Sequence, residues 1–126
     1  MATLELSPNQ ILCVGDENFQ QAMMGALDLR SILCAPLYWD DVKSALAGEV
    51  KVVFLSGDHS DSSYVLSRIR MTPEQDCTIV LWCQAESDFC RITDAELLRL
   101  KASRLHVPLD SSDIVVALAG HEYALP

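Results

Sequence analysis

The sequence predicts an α/β domain built on an open parallel sheet with helices on both faces. Short, almost uninterrupted apolar segments recur along the chain, segments of helical period separate them, and the two kinds alternate five times. Apolar residues on both sides of a strand mean burial on both faces, which is the environment of a parallel sheet.

The first strand is 10–14 (QILCV). Phe19, Ala22, Met23, Ala26 and Leu27 then fall at i, i+3, i+4, i+7 and i+8, one face of a helix. A weaker strand, 31–35 (SILCA), ends at Pro36, and a third spans 50–55 (VKVVFL). Val65, Leu66 and Ile69 repeat the helical spacing until Met71-Thr72-Pro73 stops it. After the fourth strand, 77–82 (CTIVLW), Thr93 and Glu96 form a capping box ahead of Leu97, Leu98 and Leu100. The fifth strand, 104–107 (RLHV), leads to Asp110-Ser111-Ser112-Asp113, whose side-chain oxygens cap a helix with the stripe Ile114, Ala117, Leu118 and His121. The simplest (βα)5 arrangement of these elements is a flavodoxin-like sheet of order 2-1-3-4-5.

The 126 residues, half of them apolar, suit a single domain over 1–126, with 1–9 as a leader and 122–126 as the start of a linker or tail. One core of this size hides roughly two-thirds of the unfolded surface, so neither disulfides nor a structural metal is required. With 9 Lys+Arg against 18 Asp+Glu, the net charge of -9 repels phosphate backbones and excludes a direct nucleic-acid role. No apolar run approaches the roughly 20 residues of a membrane span, and residues 1–10 lack the features of a signal peptide. Five cysteines (13, 34, 77, 83, 90) without a C-x-x-C point to the cytosol.

In such a sheet, chemistry gathers at the strand carboxyl ends. The residues expected there are Gly15-Asp16-Glu17-Asn18, Ser56-Gly57-Asp58-His59-Ser60-Asp61, Cys83-Gln84-Ala85-Glu86 and Pro108-Leu109-Asp110.

The opening ILCVGDE and the later LHVPLDSSDI resemble the first strand and the fifth-strand turn of the receiver (CheY-like) domain of bacterial response regulators. The resemblance implies two acids after strand one holding Mg²⁺, a phosphoryl-accepting Asp ending strand three, a Ser/Thr ending strand four, and a Lys before the strand-five Pro. Here the acid pair becomes Gly15 and Asp16, with Glu17 following. The acceptor falls on Ser56, the switch hydroxyl on Trp82 or Cys83, and the Lys on Val107 before Pro108. Mg²⁺ needs hard oxygen ligands, and phosphoryl transfer needs cations on the equatorial oxygens. The expectation is a degenerate, non-phosphorylated pseudo-receiver, with Trp82 filling the old pocket, no enzyme activity and no cofactor or metal.

Within receivers, Trp39-Asp40-Asp41-Val42 at the start of helix two, Ser56-Gly57 and His106-Val107-Pro108-Leu109 resemble the N-terminal domain of FleQ/FlrA-type flagellar sigma-54 regulators. That resemblance implies an excised regulatory, self-associating module whose ATPase and helix-turn-helix domains lie outside this sequence. The partner is then a second copy, and Arg99, Lys101 and Arg104 mark the surface to test.

Alternatives remain at the residue level. Reading strand three two residues later makes Asp58 the acceptor, and Asp16, Glu17 and Asp58 together would suit a divalent ion. His59 with Asp58 and Asp61 could form a metal corner, a thiolate at Cys83 or Cys90 flanking the strand-four loop could sense oxidation, and Ser56 with His59 and an Asp could make a hydrolase, although no G-x-S-x-G elbow is present. A small-molecule sensor lacks a Gly-rich phosphate cradle.

Overall fold

The computed structural model describes residues 3–85 and 92–126. Its elements are β1 (Leu4–Glu5), β2 (Ile11–Val14), α1 (Glu17–Leu27), β3 (Leu33–Ala35), α2 (Trp39–Leu46), β4 (Val52–Ser56), α3 (Ser62–Met71), β5 (Ile79–Gln84), α4 (Asp94–Arg99), β6 (Ala102–His106), α5 (Ser111–Ala119) and β7 (Tyr123–Ala124). Five strands form an all-parallel sheet of order β3-β2-β4-β5-β6. Counting only the strands of this sheet, that is the order 2-1-3-4-5.

Alternation along each strand divides the core in two. Leu12, Val14, Val53, Leu55, Val80 and Trp82 pack against α2, α3 and α4 through Val42, Leu46, Leu66, Ile69 and Leu97. On the other face Ile11, Cys13, Phe54, Leu81 and Cys83 meet Met23 and Leu27 of α1 and Ile114 and Leu118 of α5. Helix starts follow the caps read from sequence: the Thr93 hydroxyl accepts from the Glu96 amide, and the Asp110 carboxylate accepts from Ser112.

Several expectations need correction. The fourth sheet strand starts at Ile79, because Thr78 closes a turn onto Gln75 through both its amide and its hydroxyl. That strand runs past Trp82 to Gln84, which pairs with His106, while Cys83 pairs with Ser56. Polar residues at strand ends hid these extensions. Val107 lies beyond its strand, and α5 ends at Ala119, leaving His121 exposed outside the helix. Leu98 is exposed because α4 turns Leu97 and Leu100 inward, and Ala22 faces outward from α1.

The segments read as a leader and the start of a tail meet each other in the structure. Leu4 and Glu5 pair in parallel with Tyr123 and Ala124, and Leu6 is buried in the α1/α5 core. On the opposite side, the half-buried Arg70 guanidinium donates to the carbonyls of Gln75, Thr78, Leu100 and Lys101. It thereby fastens the end of α3 to the start of β5 and to the α4–β6 turn.

Candidate functional site

A cleft of about 480 Å³ opens at the carboxyl ends of β2, β4 and β6. Its lining brings together Asp16, Asn18, Ser56, Asp58, His59, Val107, Pro108 and Leu109 of the expected residues, and adds Phe19 and Ala22.

Each acidic group there already has a partner. Asp16 caps α1, one carboxylate oxygen accepting from the Phe19 amide at 2.8 Å and the other lying 3.4 Å from His59 Nε2. Asp58 accepts from the Ala85 amide at 3.2 Å, which joins the β4 loop to the end of β5. Glu17 lies exposed in the first turn of α1. Ser56 closes β4 and is 3 % exposed. Its carbonyl accepts from the Ser62 hydroxyl at 2.6 Å, while its own hydroxyl has no hydrogen-bond partner among the described residues.

Two aromatic rings occupy space beside the glycines of the site. A Cβ on Gly15 would lie 2.5 Å from Phe19 Cδ2 and 3.0 Å from Ser56 Cβ, so no larger side chain enters without moving the ring. A Cβ on Gly57 would overlap Trp82 Nε1 and lie 2.5 Å from its Cε2. The Trp82 ring is wholly buried, with its N–H donating to Gln84 Oε1 at 2.9 Å. Trp82 therefore does not end its strand or fill the cleft as expected. It packs under Gly57 on the other face of the sheet. Phe19, read from sequence only as part of a helical stripe, is the ring at the cleft, and its place three residues after the Asp16 cap was the available signal.

The other expected constellations do not form. His59 pairs with Asp16, and no group of three His, Cys, Asp or Glu side chains among the described residues is arranged to hold a metal, neither the His59 corner nor the set Asp16, Glu17 and Asp58. No hydrogen bond links Ser56 to His59, so the nucleophile–base pair of a hydrolase is not assembled. Because β4 ends at Ser56, Gly57 and Asp58 lie beyond the strand, contrary to the later register for Asp58. Burial, and secondarily the charge of Asp58, pushes the Cys83 thiol up, which suppresses its thiolate. Glu86, Cys90 and the rest of that loop lie outside the described residues. Cys13 and Cys34, not paired from sequence, are neighbours across β2 and β3.

The basic residues do not make one patch. Lys101 pairs with Asp76 at 3.1 Å, whereas Arg104 is half-buried and binds Gln84, the Ile92 carbonyl and Asp94. Arg99 has no ion pair among the described residues. No helix among them is long and apolar enough to cross a membrane.

No family model matches the chain, and no curated protein matches it. Solved structures do. The signal receiver domain of a DNA-binding response regulator (merR) from Colwellia psychrerythraea 34H is 18% identical, over 94% of this chain and 97% of that one, with a TM-score of 0.64. The Vibrio cholerae chemotaxis protein CheY4 is 12% identical over 94% and 98%, with a TM-score of 0.67. NtrX from Brucella abortus is 16% identical over 95% of this chain and 26% of its own, with a TM-score of 0.68. The chain therefore has the fold of response-regulator receiver domains, and its cleft stands at the strand carboxyl ends of that fold.

Proposed function

We propose that the chain is a pseudo-receiver: a regulatory and self-association module of a cytoplasmic bacterial transcription regulator, working without phosphorylation and catalysing no reaction. The observation that carries this reading is the state of the cleft. Ser56 stands where the fold's carboxylate acceptor would be, Val107 where its Lys would be, and the Phe19 ring covers the place of the second acid at Gly15. A hydroxyl forms no acyl phosphate, and the described lining holds neither Lys nor Arg to stabilise charge on a transferred phosphoryl group. The similarity in short segments to FleQ/FlrA-type regulators extends the proposal to the flagellar, sigma-54-dependent class, with ATPase and helix-turn-helix domains as partners in the same regulator.

The self-association surface we favour joins α4, β6 and α5. Leu98 is 81% and Val116 72% exposed there, with Arg99 and His106 nearby in the chain's fold. Exposed large apolar side chains among charged ones are the composition of an interface centre and its rim. Charge reversal at Arg99 together with Leu98→Asp is expected to shift solution mass toward the monomer by analytical ultracentrifugation.

A second reading, a working phospho-acceptor at Asp58, is favoured by Asp16 and Asp58 lining one cleft. Amide-resolved NMR titration with Mg²⁺ and then beryllofluoride separates the two. The pseudo-receiver gives no saturable shift at Asp16, Ser56, Asp58 or Val107, and saturation centred on Asp58 would overturn it.

A further inference from the structure

We propose that the cleft binds an organic cation carried on an aliphatic stem, of the alkylguanidinium or alkylammonium class. This goes beyond the pseudo-receiver reading and rests on it in one respect, that the cleft is not reserved for a phosphoryl group.

The volume of about 480 Å³ is within the range of small-ligand sites, which combine apolar walls with a few convergent polar groups. Phe19, Ala22, Val107, Pro108 and Leu109 supply the apolar wall. The polar groups are two carboxylates, Asp16 and Asp58, the Ser56 hydroxyl and the Asn18 amide, with His59 the one basic side chain among the described lining residues. An anion would meet both carboxylates. At the start of α1 the Asp16 carboxylate itself occupies the Phe19 amide, and at the start of α5 Asp110 occupies the Ser112 amide.

Ser56 adds an independent indication. Its side chain is almost wholly buried, lines the cleft, and leaves its oxygen without a partner among the described residues. A hydroxyl open to the cleft can donate one hydrogen bond and accept others, so it offers an incoming cation an acceptor beside the two carboxylates. A guanidinium or ammonium supplies donors to Ser56, Asp16 and Asp58 at once. Its stem lies along the Val107-Pro108-Leu109 wall, and the Phe19 ring face can take the cation.

The test is an NMR titration of the chain with n-butylguanidinium chloride, against n-butanol and sodium butyrate at equal ionic strength. Saturable amide shifts centred on Ser56, Asp58, His59 and Val107 are expected for butylguanidinium alone. Binding should weaken at least about tenfold in Asp16→Asn, whose remaining oxygen still caps α1, and be blocked by Ala22→Trp, which fills the cleft from an exposed position. Equal shifts with n-butanol, or linear shifts scattered over surface acids, would overturn the proposal. N-acetylarginine amide distinguishes the source: binding of both probes means that the cleft accepts an arginine side chain of a protein partner, and binding of butylguanidinium alone means a free small cation. A parallel Mg²⁺ and beryllofluoride titration reads the pseudo-receiver question separately, since a response to it leaves the butylguanidinium result to stand or fall by itself.

Discussion

Gly57→Ala isolates the packing of Trp82. No glycine of the described chain has positive φ, so Ala meets no backbone strain at 57, and the change alone should stabilise by about 0.4–1 kcal/mol through the unfolded state. The added methyl, however, meets a wholly buried indole at Cε2, 2.5 Å away, and at Nε1. Overpacking of this kind costs about 1–3 kcal/mol, and moving the ring also weakens the Trp82–Gln84 hydrogen bond, worth about 1 kcal/mol. The net expectation is a loss of about 1–3 kcal/mol in urea unfolding followed by circular dichroism. Gly25→Ala is the control. It lies in the last turn of α1 with nothing within 4 Å of the new methyl, and should stabilise by about 0.4–1 kcal/mol. Trp82→Leu provides the cycle: destabilising by about 2–4 kcal/mol alone, it should absorb the Gly57→Ala penalty and give a coupling of at least about 1 kcal/mol. A Gly57→Ala protein as stable as the parent, or additive with Trp82→Leu, would refute the reasoning.

Leu6→Ala should cost about 2–4 kcal/mol in the same unfolding assay if the β1–β7 pairing is part of the domain, whereas a free leader would lose almost nothing. Arg70→Ala removes charged donors to four carbonyls and should cost about 2–4 kcal/mol, with Arg70→Lys recovering only a minority because one ammonium cannot span them. The Asp110 carboxyl is held below its ordinary range, first by the Ser112 hydroxyl and then by its amide, so the stability it adds is present above its ordinary pKa and is lost as pH falls through the depressed value. Asp110→Asn should therefore flatten the acid limb of a stability–pH curve measured by thermal melting below about pH 4. Ser56→Asp puts a carboxyl in a nearly water-free position near Asp58, raising its pKa, so the variant should lose stability as pH rises above about 4 and take up no phosphoryl group from acetyl phosphate in a mass measurement.

The sheet was legible because its strands are buried on both faces, and burial imposes an apolar run that no helix of this length needs. Ile11–Val14 and Val52–Leu55 could be read almost to the residue. Strand ends were less visible wherever a polar side chain continued the ladder, as Ser56, Gln84 and His106 do: backbone pairing there is set by neighbouring strands, not by hydropathy. The β1–β7 pair could not be read at all, since two-residue strands carry no period and their partners stand at opposite ends of the sequence. At the site, Asp16, Ser56, Asp58, Val107 and Pro108 were found because topology alone brings strand ends together. The roles of Phe19 and Trp82 depend on which way a ring turns, and Arg99, Lys101 and Arg104 were grouped by sequence proximity although two of them are held by partners on different elements.

The difference between lacking a catalytic residue and lacking the space for it decides how reversible the cleft's condition is. On the pseudo-receiver proposal, Val107 and Ser56 differ from the residues of a working receiver by side chain alone, and each is exchangeable in place. Gly15 is another matter, because the ring of Phe19 already fills the volume that a side chain there would enter, and the backbone carrying that ring is held by the Asp16 cap at the start of its helix. Restoring the acid therefore requires moving Phe19 into the cleft, which consumes the cavity that a ligand would use. The same ring thus ties the two proposals together. It removes one ligand position from phosphoryl chemistry, and in the same placement it gives the remaining cleft an aromatic wall beside two carboxylates, which favours cations over phosphate.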